Sequence, residues 1–210
     1  MKNILVYGDS NAWGLIPTTK FERFDYDTRW PGVLQGLLGD DYRIIEENLC
    51  ARTIDSDDLR PGFENRNGMT ELPMCLDSHY PLDMVILSLG LNELKSIFDW
   101  TPAEVAEKME RMIELAKGRQ PNFHSHNTQI AFMTQPTVEH TGQWGELWVG
   151  AHEKSKRLRQ EYVALAQKAG IKLIDAAGVA VDDNDGVHFD AQGHQAVAKV
   201  VADFIIAELN

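Results

Sequence analysis

Asp83-Met84-Val85-Ile86-Leu87-Ser88-Leu89-Gly90 is the stretch that decides the fold. It is a continuous apolar run without the alternation of a strand that faces water on one side. That is the pattern of a central parallel strand, buried on both faces. Four shorter β-prone runs surround it in sequence: Ile4–Tyr7, Tyr42–Glu47, Gln129–Thr134 and Ile171–Ala176. Helical patterns separate the five. Thr101-Pro102-Ala103-Glu104 is a capping box with proline at the first helical position, and Val105, Met109, Met112 and Ala116 then share one face. Residues 151–169 form a second helix, with Leu158, Tyr162, Leu165 and Ala166 inward and Gly170 as its stop. Asp190 caps a last helix whose apolar stripe includes Val197, Val200, Val201, Phe204 and Ile205. A helix at about 29–38 joins the first two strands.

Strands separated by helices specify a parallel sheet covered on both sides, a three-layer α/β/α architecture. The 210 residues suit one domain, 1–210, with a substantial core. There is no linker, repeat or low-complexity segment. Three irregular stretches are long for a compact domain: 14–28, 51–71 and 135–150, the last rich in Trp, Gly and Gln. Trp144 and Trp148 in the third are candidates for a pocket wall or for an oligomer contact.

The net charge of −12 argues against nucleic-acid and anionic-membrane partners, which need clustered cations. The two cysteines, Cys50 and Cys75, make no disulfide framework and no metal-ligand spacing, so a reduced cytoplasmic setting is expected. No stretch is apolar for long enough to span a bilayer, and the apolar run after Lys2 is too short for a signal core.

In a flavodoxin-like sheet of order 2-1-3-4-5, ligands bind at the carboxyl edge near the switch point between strands 1 and 3. With that order assumed, the turns after strands 2, 1 and 3 sit side by side, about 4.8 Å apart. They carry Leu49-Cys50-Ala51-Arg52, Gly8-Asp9-Ser10-Asn11 and Gly90-Leu91-Asn92-Glu93. A serine nucleophile needs a base, because its hydroxyl is protonated at neutral pH. Asp185 and His188, three residues apart before the last helix, can form a carboxylate–imidazole pair. The connection from strand 5 is long enough to bring them over Ser10.

Other groups read more plainly. The acidic run Asp182–Gly186 is not an EF-hand loop, because Val181 and Gln192 fall on its first and last ligand positions. His124 and His126 read as a surface loop, His194 as a helix-packing or surface histidine, and Cys50 as a small buried neighbour. Asp9 reads as a brace for its turn. Arg52 has Asp9, Glu93 and Asp55 as candidate ion-pair partners, with substrate binding as the alternative.

Gly8-Asp9-Ser10-Asn11-Ala12-Trp13-Gly14, Gly90-Leu91-Asn92-Glu93 and Asp185-Gly186-Val187-His188, in this order, resemble the blocks of the SGNH (GDSL-type) hydrolases. Asn48-Leu49-Cys50-Ala51 resembles their second block. The matches run from about residue 4 to residue 204. Phe21–Gln35, Cys50–Asp55, Leu72–Lys95 and Asp175–Phe189 look closest to the aryl-esterase and acyltransferase branch. The resemblance implies a Ser-His-Asp esterase for short-chain acyl or aryl esters, able to pass the acyl group to alcohols. A carbohydrate O-acetyl esterase is the alternative, and a non-catalytic binding or scaffold protein on this fold is a third reading. It implies Ser10, His188 and Asp185 as the triad. The oxyanion hole would be Ser10, Ala51 (where the family has glycine) and Asn92, and Trp13 would shape the substrate pocket beside Asn11. It also implies no metal or organic cofactor, and a homo-oligomer that can reach an octamer.

Overall fold

The computed structural model describes residues 1–123, 127–139 and 145–209. Five parallel strands form one sheet: β1 (Lys2–Gly8), β2 (Tyr42–Asn48), β3 (Met84–Ser88), β4 (Gln129–Met133) and β5 (Lys172–Ile174). Their order is β2-β1-β3-β4-β5, the flavodoxin-like arrangement. The central run is fully buried over Met84–Ser88, as its lack of alternation requires.

Among the described residues there are six α-helices: α1 (Ser10–Trp13), α2 (Trp30–Leu38), α3 (Gly68–Ser78), α4 (Pro102–Phe123), α5 (Ala151–Ala169) and α6 (Ala191–Leu209). Successive strand residues point to opposite faces. Leu5, Tyr7, Val85 and Leu87 meet α3, α4 and α5 on one side. Ile4, Val6, Met84 and Ile86 meet α2 and α6 on the other. The capping box forms as expected: Thr101 N donates to Glu104 Oε2 at 2.8 Å and Glu104 N to Thr101 Oγ1 at 3.3 Å. Gly170 ends α5 in the left-handed conformation, its N–H on Ala166 O.

Two elements were not expected. The stretch 51–71 is not irregular to its end, because α3 starts at Gly68, with Asn67 Oδ1 accepting from Met69 N at 3.1 Å. Pro73 inside the helix hides it from a sequence reading, since proline breaks helices far more often than it sits in them. The turn after β1 is a single helical turn, α1, capped by Asp9 Oδ1, which accepts from Asn11 N at 3.0 Å.

The strand ends set the working edge. Gly8 is in register with Asn48 on one side and Ser88 on the other, so the turns after β1, β2 and β3 leave the sheet at one level. A side chain at Gly8 would collide with Ala12 Cβ at 2.5 Å and Asn48 Oδ1 at 2.9 Å. Gly90, at φ +115°, turns the chain out of β3 over Tyr162, whose hydroxyl donates to Leu89 O at 3.0 Å.

Candidate active site

Ser10 opens α1, and its Oγ lies 3.0 Å from His188 Nε2, across 178 residues of sequence. His188 Nδ1 is 2.7 Å from Asp185 Oδ1. All three are buried. An ionised carboxylate only accepts, so Nδ1 carries the proton and Nε2 is left to take one from Ser10. The same Asp185 oxygen accepts from the backbone N–H of His188 at 2.8 Å and of Val187 at 3.1 Å, while Oδ2 accepts from Thr18 N at 3.2 Å. Burial alone would raise the Asp185 carboxyl. The His188 imidazole and these backbone donors outweigh it and hold the group well below the usual carboxylate range.

The turn that presents His188 is closed by Asp182. Its Oδ1 accepts from the N–H groups of Asn184 and Asp185, both at 2.9 Å, and its backbone N–H donates to His188 O at 2.8 Å. Gly186 takes φ +75° at the tip. The spacing reading takes Asp185 from this acidic run and gives Asp182 no role. Its signal was an Asx-type turn, an aspartate accepting from N–H groups two and three residues on.

The other two turns bring Ala51 and Asn92 to the same cleft. Ala51 sits at φ +64°, the left-handed region that favours glycine, which accounts for the glycine of the resembled block. No hydrogen bond takes up the backbone N–H of Ser10 or Ala51 among the described residues. Asn92 Nδ2 donates to Arg52 O at 3.0 Å and, more weakly, to Asp9 Oδ2 at 3.4 Å. Burial raises the Asp9 carboxyl to about 6 against the lowering pull of Asn11 N–H. Glu93 is pushed up to about 7 by burial, with Ile54 N donating to its Oε1. Burial holds the Cys50 thiol up near 12, fitting a packed neighbour and not a nucleophile.

Three expectations are corrected by position. Asn11 does not face the cleft: its Nδ2 donates to Val187 O at 3.1 Å and its Oδ1 accepts from Phe189 N at 3.0 Å. It clamps the histidine turn from both sides, because an amide offers a donor and an acceptor where a buried backbone C=O and N–H need both. Trp13 does not line the cleft either; the Arg23 guanidinium stacks 4.9 Å over its ring. Among the described residues Arg52 pairs with no carboxylate. It donates to Gly8 O at 3.1 Å and to Glu47 O, and lies 4.0 Å over the Tyr7 ring.

The cleft above Ser10 encloses about 370 Å³, its mouth included. Leu15 and Phe21 come from the 14–28 loop, Phe63 and Arg60 from 51–71, Leu147 and Trp148 from 135–150, and Lys95 from the turn after β3. Each of the three long stretches thus contributes wall. Arg60, Phe63 and Lys95 were missed because no spacing within the blocks marks them, although Lys95 stands three residues after Asn92. His194 is a packing residue: its Nδ1 accepts from Trp30 N at 3.2 Å, and burial lowers it to about 4. His124, His126 and Trp144 lie outside the described residues. Among the described residues no cluster of His, Cys, Asp and Glu has the makings of a metal site, and no helix is long and apolar enough to cross a membrane.

The profile of the GDSL-like lipase/acylhydrolase family matches residues 6–196. Among solved structures, a carbohydrate acetylesterase from Sinorhizobium meliloti is 34% identical, with a TM-score of 0.90 over 99% of each chain. The native M. smegmatis aryl esterase is 33% identical, with a TM-score of 0.91 over 99% of each chain. A member of the lipolytic G-D-S-L family from Veillonella parvula shares the fold at 13% identity, with a TM-score of 0.71 over 98% of this chain and 99% of its own. No curated protein matches the chain.

Proposed function

The chain belongs to the GDSL-like lipase/acylhydrolase family, the SGNH hydrolases, as a carboxylic ester hydrolase, and we propose that it cleaves short-chain acyl or aryl esters with Ser10, His188 and Asp185 as its triad. The observation that carries this reading is the continuous chain Ser10 Oγ–His188 Nε2 (3.0 Å) and His188 Nδ1–Asp185 Oδ1 (2.7 Å) in a buried cleft. Ser10 Oγ attacks the ester carbonyl while His188 Nε2 takes its proton. Asp185 stays ionised and faces the imidazolium. The oxyanion receives the N–H groups of Ser10 and Ala51 and the Asn92 amide, which turns to it from the long contact with Asp9. A donor of this kind is worth roughly 3 kcal/mol in the transition state. His188 returns the proton to the departing alkoxide, and water, or a second alcohol, then attacks the acyl-enzyme and releases Ser10.

The lining of the cleft supports acyl or aryl esters, since Leu15, Phe21, Phe63, Leu147 and Trp148 give it apolar walls beside Ser10. Carbohydrate O-acetyl ester hydrolysis is the second reading. It is favoured by the carbohydrate acetylesterase standing at nearly the same identity as the aryl esterase. All 210 residues form one hydrolase domain in this reading, working as a homo-oligomer. Support for assembly comes from apolar side chains left exposed beside the cleft: Leu59 at 91%, Val149 at 65% and Phe21 at 48%. Light scattering tests the assembly.

Ser10→Ala tests the triad. Turnover of para-nitrophenyl acetate should fall by several orders of magnitude, and fluorophosphonate labelling should vanish. Wild-type rates in the folded variant would sink the assignment. Acetate release from acetylated xylan with poor aryl-ester turnover would favour the second reading.

A further inference from the structure

Two cations stand in the wall of the cleft and share one carboxylate. The Asp58 side chain is fully buried, and Arg60 already grips it, with Nε 2.8 Å from Oδ1 and Nη2 2.5 Å from Oδ2. Lys95 is therefore surplus to that pair. Its Nζ is 3.7 Å from Asp58 Oδ2, beyond hydrogen-bond distance, and it donates no hydrogen bond among the described residues. Yet its side chain is only 4% exposed. Burying an ammonium without hydrogen-bond partners is costly, and the shared Asp58 carboxylate at 3.7 Å and the Trp148 ring at 5.8 Å offset that cost only in part. The other acids near it are engaged elsewhere. Glu93 accepts from Ile54 N, and Asp9 from Asn11 N and Asn92 Nδ2. Arg60, stacked 4.1 Å over Phe63, keeps its Nη1 without a bond among the described residues.

The position of Lys95 is as telling as its charge. It follows the 3₁₀ turn Asn92–Leu94 directly, three residues after Asn92, and both residues line the cleft that holds Ser10. The wall around the cations is otherwise apolar, with Trp148 5.8 Å from Lys95 Nζ. In a chain of net charge −12, a buried lysine and a half-buried arginine side by side in the wall near the nucleophile run against the composition.

We infer that this cleft takes esters bearing a carboxylate on their acyl or alcohol part, seated on Lys95 Nζ with Arg60 beside it. The inference rests on the esterase reading above. It explains why the Lys95 ammonium, beyond hydrogen-bond distance of the carboxylate it shares, faces the cleft: the substrate supplies the acceptor. Burial and the Arg60 charge lower Lys95 to about 8, which leaves it protonated at neutral pH and open to an anion.

The test compares kcat/KM for charged and neutral esters. Para-acetoxybenzoate against phenyl acetate places the carboxylate on the alcohol side. Monophenyl glutarate against methyl phenyl glutarate places it on the acyl side. In one pair, the charged-to-neutral ratio should fall roughly tenfold or more in Lys95→Met, the scale of a lost charge-assisted hydrogen bond, and recover in Lys95→Arg. A ratio indifferent to the substitution in both pairs overturns the inference. A second arm needs neither variant nor turnover. By calorimetry, wild-type protein and Ser10→Ala should bind benzoate and glutarate more tightly than benzyl alcohol and pentanediol, and the advantage should shrink with added salt. Equal binding of anions and alcohols overturns the inference even if Lys95→Met does not fold. Loss of turnover with the anion preference intact would instead indict the esterase reading.

Discussion

Replacing Asp185 by asparagine separates the charge of the triad carboxylate from its geometry. Three donors converge on Asp185 Oδ1: His188 Nδ1 at 2.7 Å, His188 N at 2.8 Å and Val187 N at 3.1 Å. Thr18 N donates to Oδ2 at 3.2 Å. An asparagine amide therefore has a preferred orientation, with its oxygen under the three donors and its NH₂ against Thr18 N–H. The reverse orientation sets three donors against a donor, at about 1–3 kcal/mol for each unmet group. The imidazole tautomer then survives the substitution, and what is lost is the negative charge facing the imidazolium. A unit charge about 4 Å away is worth about 4 kcal/mol at an effective dielectric of 20. That is an upper bound, and the difference between charged and neutral hydrogen bonds sets a floor near 1 kcal/mol. A loss between roughly fivefold and 10³-fold in kcat for para-nitrophenyl acetate follows, short of the roughly 10⁴-fold drop that accompanies a wrong tautomer. Steady-state kinetics with circular dichroism as a folding control checks it. A loss below threefold would show that the charge is idle. A loss beyond 10⁴-fold in folded protein would show that the amide flipped and that the three-donor reasoning is wrong.

Glu93→Gln should make stability less sensitive to pH. The folded carboxyl is raised from 4.5 to about 7, so the native state binds more protons between those values and wild-type stability falls as pH rises through them. The variant's advantage over wild type should therefore be larger at pH 8 than at pH 4, by up to roughly 3 kcal/mol, in urea unfolding. A pH-independent difference would contradict this. Asn11→Ala should cost about 2–4 kcal/mol in urea unfolding, because it leaves Val187 O and Phe189 N buried without partners. It should also lower kcat more than it raises KM. A raised KM with unchanged kcat would return Asn11 to the substrate.

What was legible in the chain was whatever has a local cause. The apolar run through Met84–Ser88 announced a buried strand, and Thr101 with Glu104 announced a helix start. The Asp185–His188 spacing is closed by a turn of the same few residues, so it too could be read. The fate of Asn11 was hidden because its partners, Val187 and Phe189, lie about 176 residues away. Arg52 misled for a similar reason. A guanidinium suggests a carboxylate, but the groups left needing donors here were strand-end carbonyls. Lys95 and Arg60 belong to segments that meet only after folding, and no spacing rule links them.

Thr18 holds a left-handed backbone, φ +63°, which is rare for a β-branched residue and costs of order 1–3 kcal/mol. Its N–H reaches the Asp185 carboxylate, while Leu15 and Phe21 of the same loop wall the cleft. The segment that shapes the substrate's surroundings therefore also anchors the base's orienting group. With Ser10, His188 and Asp185 as the proposed triad, substrate range and catalytic competence are not separable modules in this protein. Grafting a new 14–28 loop to admit a different ester would rewire the histidine's support at the same time, unless the donor loop delivers an amide hydrogen to the same carboxylate oxygen.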